Sequence, residues 1–229
     1  ASVGTATNGV AFSPSATANY SVVGTNTLTG CTSTNNAVVT VTVNALPVVS
    51  ASASNTFICI NNTVTLNGAG AGSYTWTSSA PGSYSNSVAF SPTTTANYTV
   101  VGTNTLTGCT STNNAVVTIT VNTLPTVTAA VTSSVICNTQ TIAVNGSGAN
   151  TYTWVASAGS NPVNGTAFSP SATANYSVSG TNSLTGCTST NVAFVTVTVN
   201  ALPVVSAASS SSVICNTQTI TVNGSGANS

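Results

Sequence analysis

The sequence predicts an all-β chain of two-sheet sandwich domains in head-to-tail tandem, and three observations carry this. First, the stretch Ala96–Asn122 (ANYTVVGTNTLTGCTSTNNAVVTITVN) recurs as near copies at Ala18–Asn44 and Ala174–Asn200, placing Cys31, Cys109 and Cys187 78 residues apart. Second, each copy alternates with a period of two. Tyr98 and Val100 alternate with Asn97 and Thr99, a polar turn follows over Leu106–Ser111, and Val117, Ile119 and Val121 then alternate with Thr118 and Thr120. Successive side chains of a strand point to opposite faces, so this pattern is a β-hairpin with one apolar face and one hydroxyl face. Third, short strands with turn signals between them recur through each repeat and nothing has helical period, which is the pattern of a sandwich.

The elements follow in order. Residues 1–44 match the second half of a repeat, 45–122 and 123–200 are complete repeats, and 201–229 match the beginning of another. In 1–44, Val10 and Phe12 are expected to face inward from a short strand, with Ser13-Pro14 turning the chain into the strand of Tyr20. Linkers begin at Leu46-Pro47, Leu124-Pro125 and Leu202-Pro203. Pro47, Pro125 and Pro203 fix φ and remove a donor, which stiffens each junction and stops one strand running into the next. Within 45–122 the expected strands are Val48–Ser54, one carrying Val64 and Leu66, one carrying Tyr74 and Trp76, one carrying Val88 and Phe90, and the closing hairpin. A turn is expected at 60–62, and a variable segment at Ser79–Ser87. Asn67-Gly68 and its copies Asn145-Gly146 and Asn223-Gly224 are expected to supply the positive φ of tight turns. Trp76, Trp154, Tyr20, Tyr98 and Tyr176 are the expected aromatic core.

Composition excludes more than any motif includes. The chain has 229 residues and no Asp, Glu, Lys, Arg or His. General acid–base chemistry needs a side chain that exchanges a proton near neutral pH, and only Cys comes close. Hydrolytic triads lack their base, metal sites lack imidazole and carboxylate ligands, and phosphate sites lack cations. No catalytic, cofactor-binding or metal-binding residue is therefore expected. Nucleic acid is not an expected partner either, because counterion release needs Lys or Arg. Apolar runs such as Thr56–Ile60 are far too short to span a bilayer, so no transmembrane segment is expected. No signal peptide is visible, and the chain reads as a piece of something longer. Calcium-stiffened linkers and Lys–Asn isopeptide bonds are excluded by the same composition.

A mid-strand Trp followed by a Tyr opening the penultimate strand resembles the immunoglobulin-like sandwich, whose tyrosine corner sits there. The pattern ICxxxTxTLxG, the segment SPTTTANYTV, the turn TGCTST and the exit VTVTVNxLP are similar to the tandem immunoglobulin-like repeats of giant Bacteroidota cell-surface proteins. Gliding and attachment adhesins exported by the type IX secretion pathway are among these. The resemblance covers the whole chain and implies immunoglobulin-like domains at the bacterial cell surface or in a secreted fibre. It names no adhesive ligand.

Six cysteines at regular spacing, with no CxxC and no His, read as disulfides in an oxidising compartment. Two schemes are open. Pairing within a repeat joins Cys59 to Cys109 and Cys137 to Cys187, leaving Cys31 and Cys215 to partners outside the fragment. Pairing between domains joins Cys59 to Cys187, because Cys59 and Cys109 are expected at opposite ends of a domain, roughly 20 Å apart. Free structural cysteine is the third reading.

Trp76 and Trp154 could stack on a sugar, although a Trp alternating with Thr in a strand belongs more naturally to a core. Tyr84, in the variable segment, is the best candidate for an exposed aromatic platform. Asn19, Asn61, Asn97, Asn145, Asn164, Asn175 and Asn223 open N-x-S/T sequons, which in a bacterium are expected to be bare. The expected role is structural: a repeat segment of an extracellular adhesin stalk or surface fibre, partnered by neighbouring repeats and by laterally associated copies. A self-assembling filament subunit, associating laterally or by split domains, and a carbohydrate-binding module are the alternatives. Flat Thr/Val-rich edges without Lys invite lateral pairing. With no charge to screen, the thermal midpoint should stay constant between about 0.01 and 0.15 M NaCl by calorimetry; a salt-dependent midpoint would contradict this.

Overall fold

Alternation between apolar and hydroxyl side chains sets the architecture seen in a computed structural model, which describes residues 6–227. The described residues form no helix, and 18 strands lie in six sheets. The chain divides into two compact units, 1–121 and 122–229.

In the first unit, β1 (Ala18–Val22) pairs antiparallel with β2 (Ala37–Val41). Residues 45–122 then fold as seven strands: β3 (Ser50–Ala53), β4 (Phe57–Cys59), β5 (Val64–Ala69), β6 (Ser73–Ser78), β7 (Ala89–Phe90), β8 (Ala96–Thr103) and β9 (Ala115–Asn122). They make a three-stranded sheet, β3-β5-β7, and a four-stranded sheet, β4-β9-β8-β6. Between these sheets Val64 and Leu66 of β5 pack with Ile58, Trp76, Tyr98, Val100 and Ile119 of the other sheet, all buried. A two-sided core of this kind is what a β-sandwich requires. The long β8 alternates most strictly, with Ala96, Tyr98, Val100 and Gly102 buried between more open neighbours.

The second unit repeats this order. Its strands are β10 (Thr128–Val131), β11 (Val135–Cys137), β12 (Ile142–Ser147), β13 (Thr151–Ala156), β14 (Ala167–Phe168), β15 (Ala174–Thr181) and β16 (Ala193–Asn200). The sheets are β10-β12-β14 and β11-β16-β15-β13, around Ile136, Ile142, Val144, Trp154, Tyr176, Val178 and Val197. Beyond them β17 (Ser206–Ser209) pairs with β18 (Val222–Ser225).

Three expectations are corrected. The expected strands do not include Phe57–Cys59, which form the short strand β4 beside β9, so that Cys59 both closes a strand and opens the turn that follows; a three-residue strand carries too little alternation to be read. Asn67-Gly68 does not turn the chain. Gly68 lies within β5 opposite Ala51, and a Cβ there would stand 2.6 Å from the Tyr74 ring. The positive φ falls two residues on, at Gly70 (97°) and Gly148 (95°). Val10 and Phe12 form no strand and are exposed; the equivalent β7 exists by pairing with β5, and no such partner lies beside residues 10–12 among the described residues.

At Gly148 a Cβ would fall 1.9 Å from the Thr126 carbonyl oxygen, on a backbone already in the left-handed region. Gly148→Ala should therefore destabilise the second unit by about 2 kcal/mol or more in urea unfolding, whereas Gly186→Ala, with nothing within 4 Å of its Cβ position, should cost less.

Candidate functional site

The residues able to do chemistry or make contacts gather at the two ends of each repeat. One end carries the turn of the long hairpin. In 45–122 this runs from Asn104 to Cys109, and the sequence builds it from a single amide. Asn104 Oδ1 accepts hydrogen bonds from the Leu106 and Thr107 N–H groups at 3.0 and 3.3 Å, and the Asn104 carbonyl accepts the Gly108 N–H at 2.8 Å. Gly108 at φ 71° lets the chain return, so that the Asn104 N–H donates to the Cys109 carbonyl at 2.9 Å. Asn26 and Asn182 build the same turn in the other copies. The leucine at the tip is left in solvent: Leu28, Leu106 and Leu184 are 96%, 95% and 92% exposed.

The opposite end carries Cys59, Cys137 or Cys215. Each sits on a tight turn closed three residues later, with Asn62, Gln140 and Gln218 N–H groups donating to the respective cysteine carbonyls. Asn61, Thr139 and Thr217 take the positive φ between them. β11 runs parallel to β16 with Cys137 opposite Asn200, the end of β16 farthest from the turn that holds Cys187. The two cysteines of one repeat are therefore separated by a strand of eight residues, about 25 Å, well beyond disulfide reach.

The cysteine states follow this geometry. Cys59 and Cys187 are disulfide-bonded, whereas Cys31, Cys109, Cys137 and Cys215 are free thiols. This corrects the scheme of pairing within a repeat, since the partners it requires, Cys109 and Cys137, are free.

Asn113 was not anticipated. Its Oδ1 accepts the Val49 N–H at 3.1 Å and its Nδ2 donates to the Val49 carbonyl at 2.8 Å, pinning the chain just after Pro47 to the base of the hairpin. Asn191 does the same for Val127. Contacts 64 residues apart leave no local signal in a sequence. Pro47 and Pro125 themselves are half-buried in extended segments, and Pro203 is exposed.

The aromatic residues are used in the core. Trp76 and Trp154 are buried, and their Nε1–H groups donate to Asn86 and Asn164 Oδ1 at 3.2 and 3.0 Å. Neither offers a face to a sugar. Tyr84 is not an exposed platform either: it is half-buried, packed edge-on against Phe90 and Tyr98 at 4.9 Å from each, with its hydroxyl donating to the Pro81 carbonyl. Tyr98 and Tyr176 are buried, whereas Tyr20 is half-buried against Phe12 and its hydroxyl has no hydrogen-bond partner among the described residues. No cluster of three or more His, Cys, Asp or Glu able to hold a metal occurs among the described residues, and no helix there is long and apolar enough to cross a membrane. No known protein family and no curated protein matches the sequence.

Burial pushes the Tyr98 phenol up to about 12, helped by neighbouring Tyr84 and opposed by a hydrogen bond from Ser78; burial also raises Tyr176. A phenol raised above its unfolded value of about 10 gives stability that is fully present below pH 10 and lost as pH climbs through the folded value. Unfolding free energy should thus hold level up to about pH 9 and fall between about pH 10 and 12 in urea titrations. A Tyr98→Phe variant should fall less steeply.

Proposed function

We propose that this chain is a structural repeat segment of an extracellular adhesin stalk or surface fibre, built from immunoglobulin-like domains in tandem. The strand order β3-β5-β7 against β4-β9-β8-β6 supports the immunoglobulin-like reading, since seven strands in two packed sheets around a buried Trp belong to that architecture. The observation that carries the role is the disulfide chemistry. Cys59 in 45–122 and Cys187 in 123–200 are each disulfide-bonded, while the other cysteine of each repeat, Cys109 and Cys137, stays free. Read as a bond between successive repeats, this suits a chain that bears load along its length and lives where thiols oxidise.

Nothing in the composition offers catalysis, so the protein works mechanically. Under tension, the hairpin ladders resist shear. Asn113 and Asn191 fasten the chain that follows each Leu-Pro to the hairpin of its own repeat, so the start of the repeat is held under load. Type IX export and a role in gliding or attachment follow from the family resemblance. A self-assembling filament is the second reading, favoured by strand edges that carry no charged gatekeeper. The carbohydrate-binding reading loses its support with Trp76, Trp154 and Tyr84 packed inward.

Antibodies raised against residues 45–200 should label fibres projecting from unpermeabilised producing cells in immunogold electron microscopy. Label confined to permeabilised cells would overturn the proposal.

A further inference from the structure

Three Asn-Gly pairs lie in the complete repeats: Asn67-Gly68, Asn145-Gly146 and Asn164-Gly165. Such a pair can react with itself. The glycine nitrogen bonds to the asparagine side-chain carbon Cγ, and no side chain on the glycine hinders the approach. The fold therefore has two groups to hold in each pair, the nucleophilic N–H and the asparagine amide.

The nitrogen is held in all three. The Gly68 and Gly146 N–H groups donate to Asn86 and Asn164 Oδ1, each at 2.6 Å, and the Gly165 N–H donates to the Val144 carbonyl at 2.8 Å. The amide is held in only two. Asn67 Oδ1 accepts the Ser87 hydroxyl at 3.0 Å, and Asn164 Oδ1 accepts the Gly146 N–H and the Trp154 Nε1–H. Asn145 occupies the place of Asn67, but Gly165 stands where the first repeat has Ser87, so the clamping hydroxyl is missing. The Asn145 side chain has no hydrogen-bond partner among the described residues and is exposed, whereas Asn67 is half-buried.

We propose that Asn145 is a site of self-modification, at which a chain without charged side chains acquires a carboxylate. Local opening of β12 releases the Gly146 N–H from Asn164. The Gly146 nitrogen gives its proton to hydroxide and bonds to Asn145 Cγ. The Cγ–Nδ2 bond breaks, and the nitrogen takes up a proton and leaves as ammonia, closing a succinimide ring. Water then opens the ring at either carbonyl and leaves aspartate or isoaspartate, so the sum is one water consumed and one ammonia released. Asn164 is the positioning residue, since its Oδ1 keeps the nucleophile occupied. Isoaspartate adds a backbone carbon to β12 opposite Ala130, within the register of β10 on β12. Either product gives the chain a negative charge, so older molecules separate from newer ones by charge.

The test ages the purified full chain at mildly alkaline pH and reads amide-to-acid conversion residue by residue, by mass spectrometry of chymotryptic peptides, beside a sample kept in urea. In buffer Asn145 should convert about fivefold faster than Asn67 or Asn164, the worth of one neutral hydrogen bond. In urea the three rates should converge. Equal rates in buffer, or no conversion at Asn145, would overturn the proposal; so would the same order persisting in urea, because the order would then come from neighbouring sequence and not from the fold. Gly165→Ser restores the hydroxyl at a position where a Cβ would stand 3.7 Å from Asn145 Oδ1. Ser87 shows that serine adopts this backbone, with φ 60° beside 70° for Gly165. The variant should slow Asn145 to the rate of Asn67 and leave Asn67 itself unchanged; an unaltered Asn145 rate would overturn the role given to the missing clamp.

Discussion

Asn86 Oδ1 accepts two hydrogen bonds, from the Gly68 N–H at 2.6 Å and from Trp76 Nε1 at 3.2 Å. Gly68 belongs to the three-stranded sheet and Trp76 to the four-stranded one, so a single amide oxygen on the variable segment ties both sheets to the core aromatic. Asn164 repeats the arrangement with Gly146 and Trp154. Removing it would orphan two donors in a part-buried site, a loss of about 1–3 kcal/mol for each. In a chain without one charged side chain, asparagine takes over the work elsewhere given to carboxylates and arginines. It caps the hairpin turn through Asn104 and fastens the linker through Asn113. Neutral hydrogen bonds hardly respond to salt or to physiological pH, so a fold assembled from them keeps its shape across conditions that rearrange ion pairs.

Much of this was legible in the residues. The hairpin β8–β9 declares itself through a strict period of two, and the buried positions Tyr98, Val100 and Ile119 are the ones that period selects. Trp76 read as core because it alternates with threonine. Strand β4 was not legible, since Phe57–Cys59 is stabilised by its neighbour β9, which lies more than fifty residues away in sequence. Asn67-Gly68 misled for a related reason. The dipeptide suits a turn, but here the missing Cβ of Gly68 makes room for the Tyr74 ring, and turn chemistry passes to Gly70.

At the candidate site, the sequence placed the two cysteines of a repeat at opposite ends but left two pairings open. The parallel alignment of β11 on β16 is the piece that rules out pairing within a repeat: it puts Cys137 level with Asn200, not with the hairpin turn. Parallel pairing of a three-residue strand has no local sequence signature. The exposed leucines at the tips were read only as part of a polar turn, because one apolar residue among threonines and glycine carries no periodicity. Their near-complete exposure in all three copies is visible only once the asparagine cap is seen to hold them outward.

The outward face of each hairpin closes on itself. Thr118 Oγ1 donates to Asn97 Oδ1 at 2.7 Å, and the same cross-strand bond joins Thr40 to Asn19 and Thr196 to Asn175. A face whose hydroxyls are already engaged has less to gain from a lateral neighbour than its threonine content suggests, because each new bond outward must replace one made inward. The ends of the repeat are different. There a leucine stands in water, thiols remain unoxidised and a cavity beside Cys137 is open. Apolar side chains also stand in water on the strand faces, Val116, Val155 and Phe194 among them; what sets the hairpin end apart is a nearly bare leucine held three residues from a cysteine by the asparagine cap.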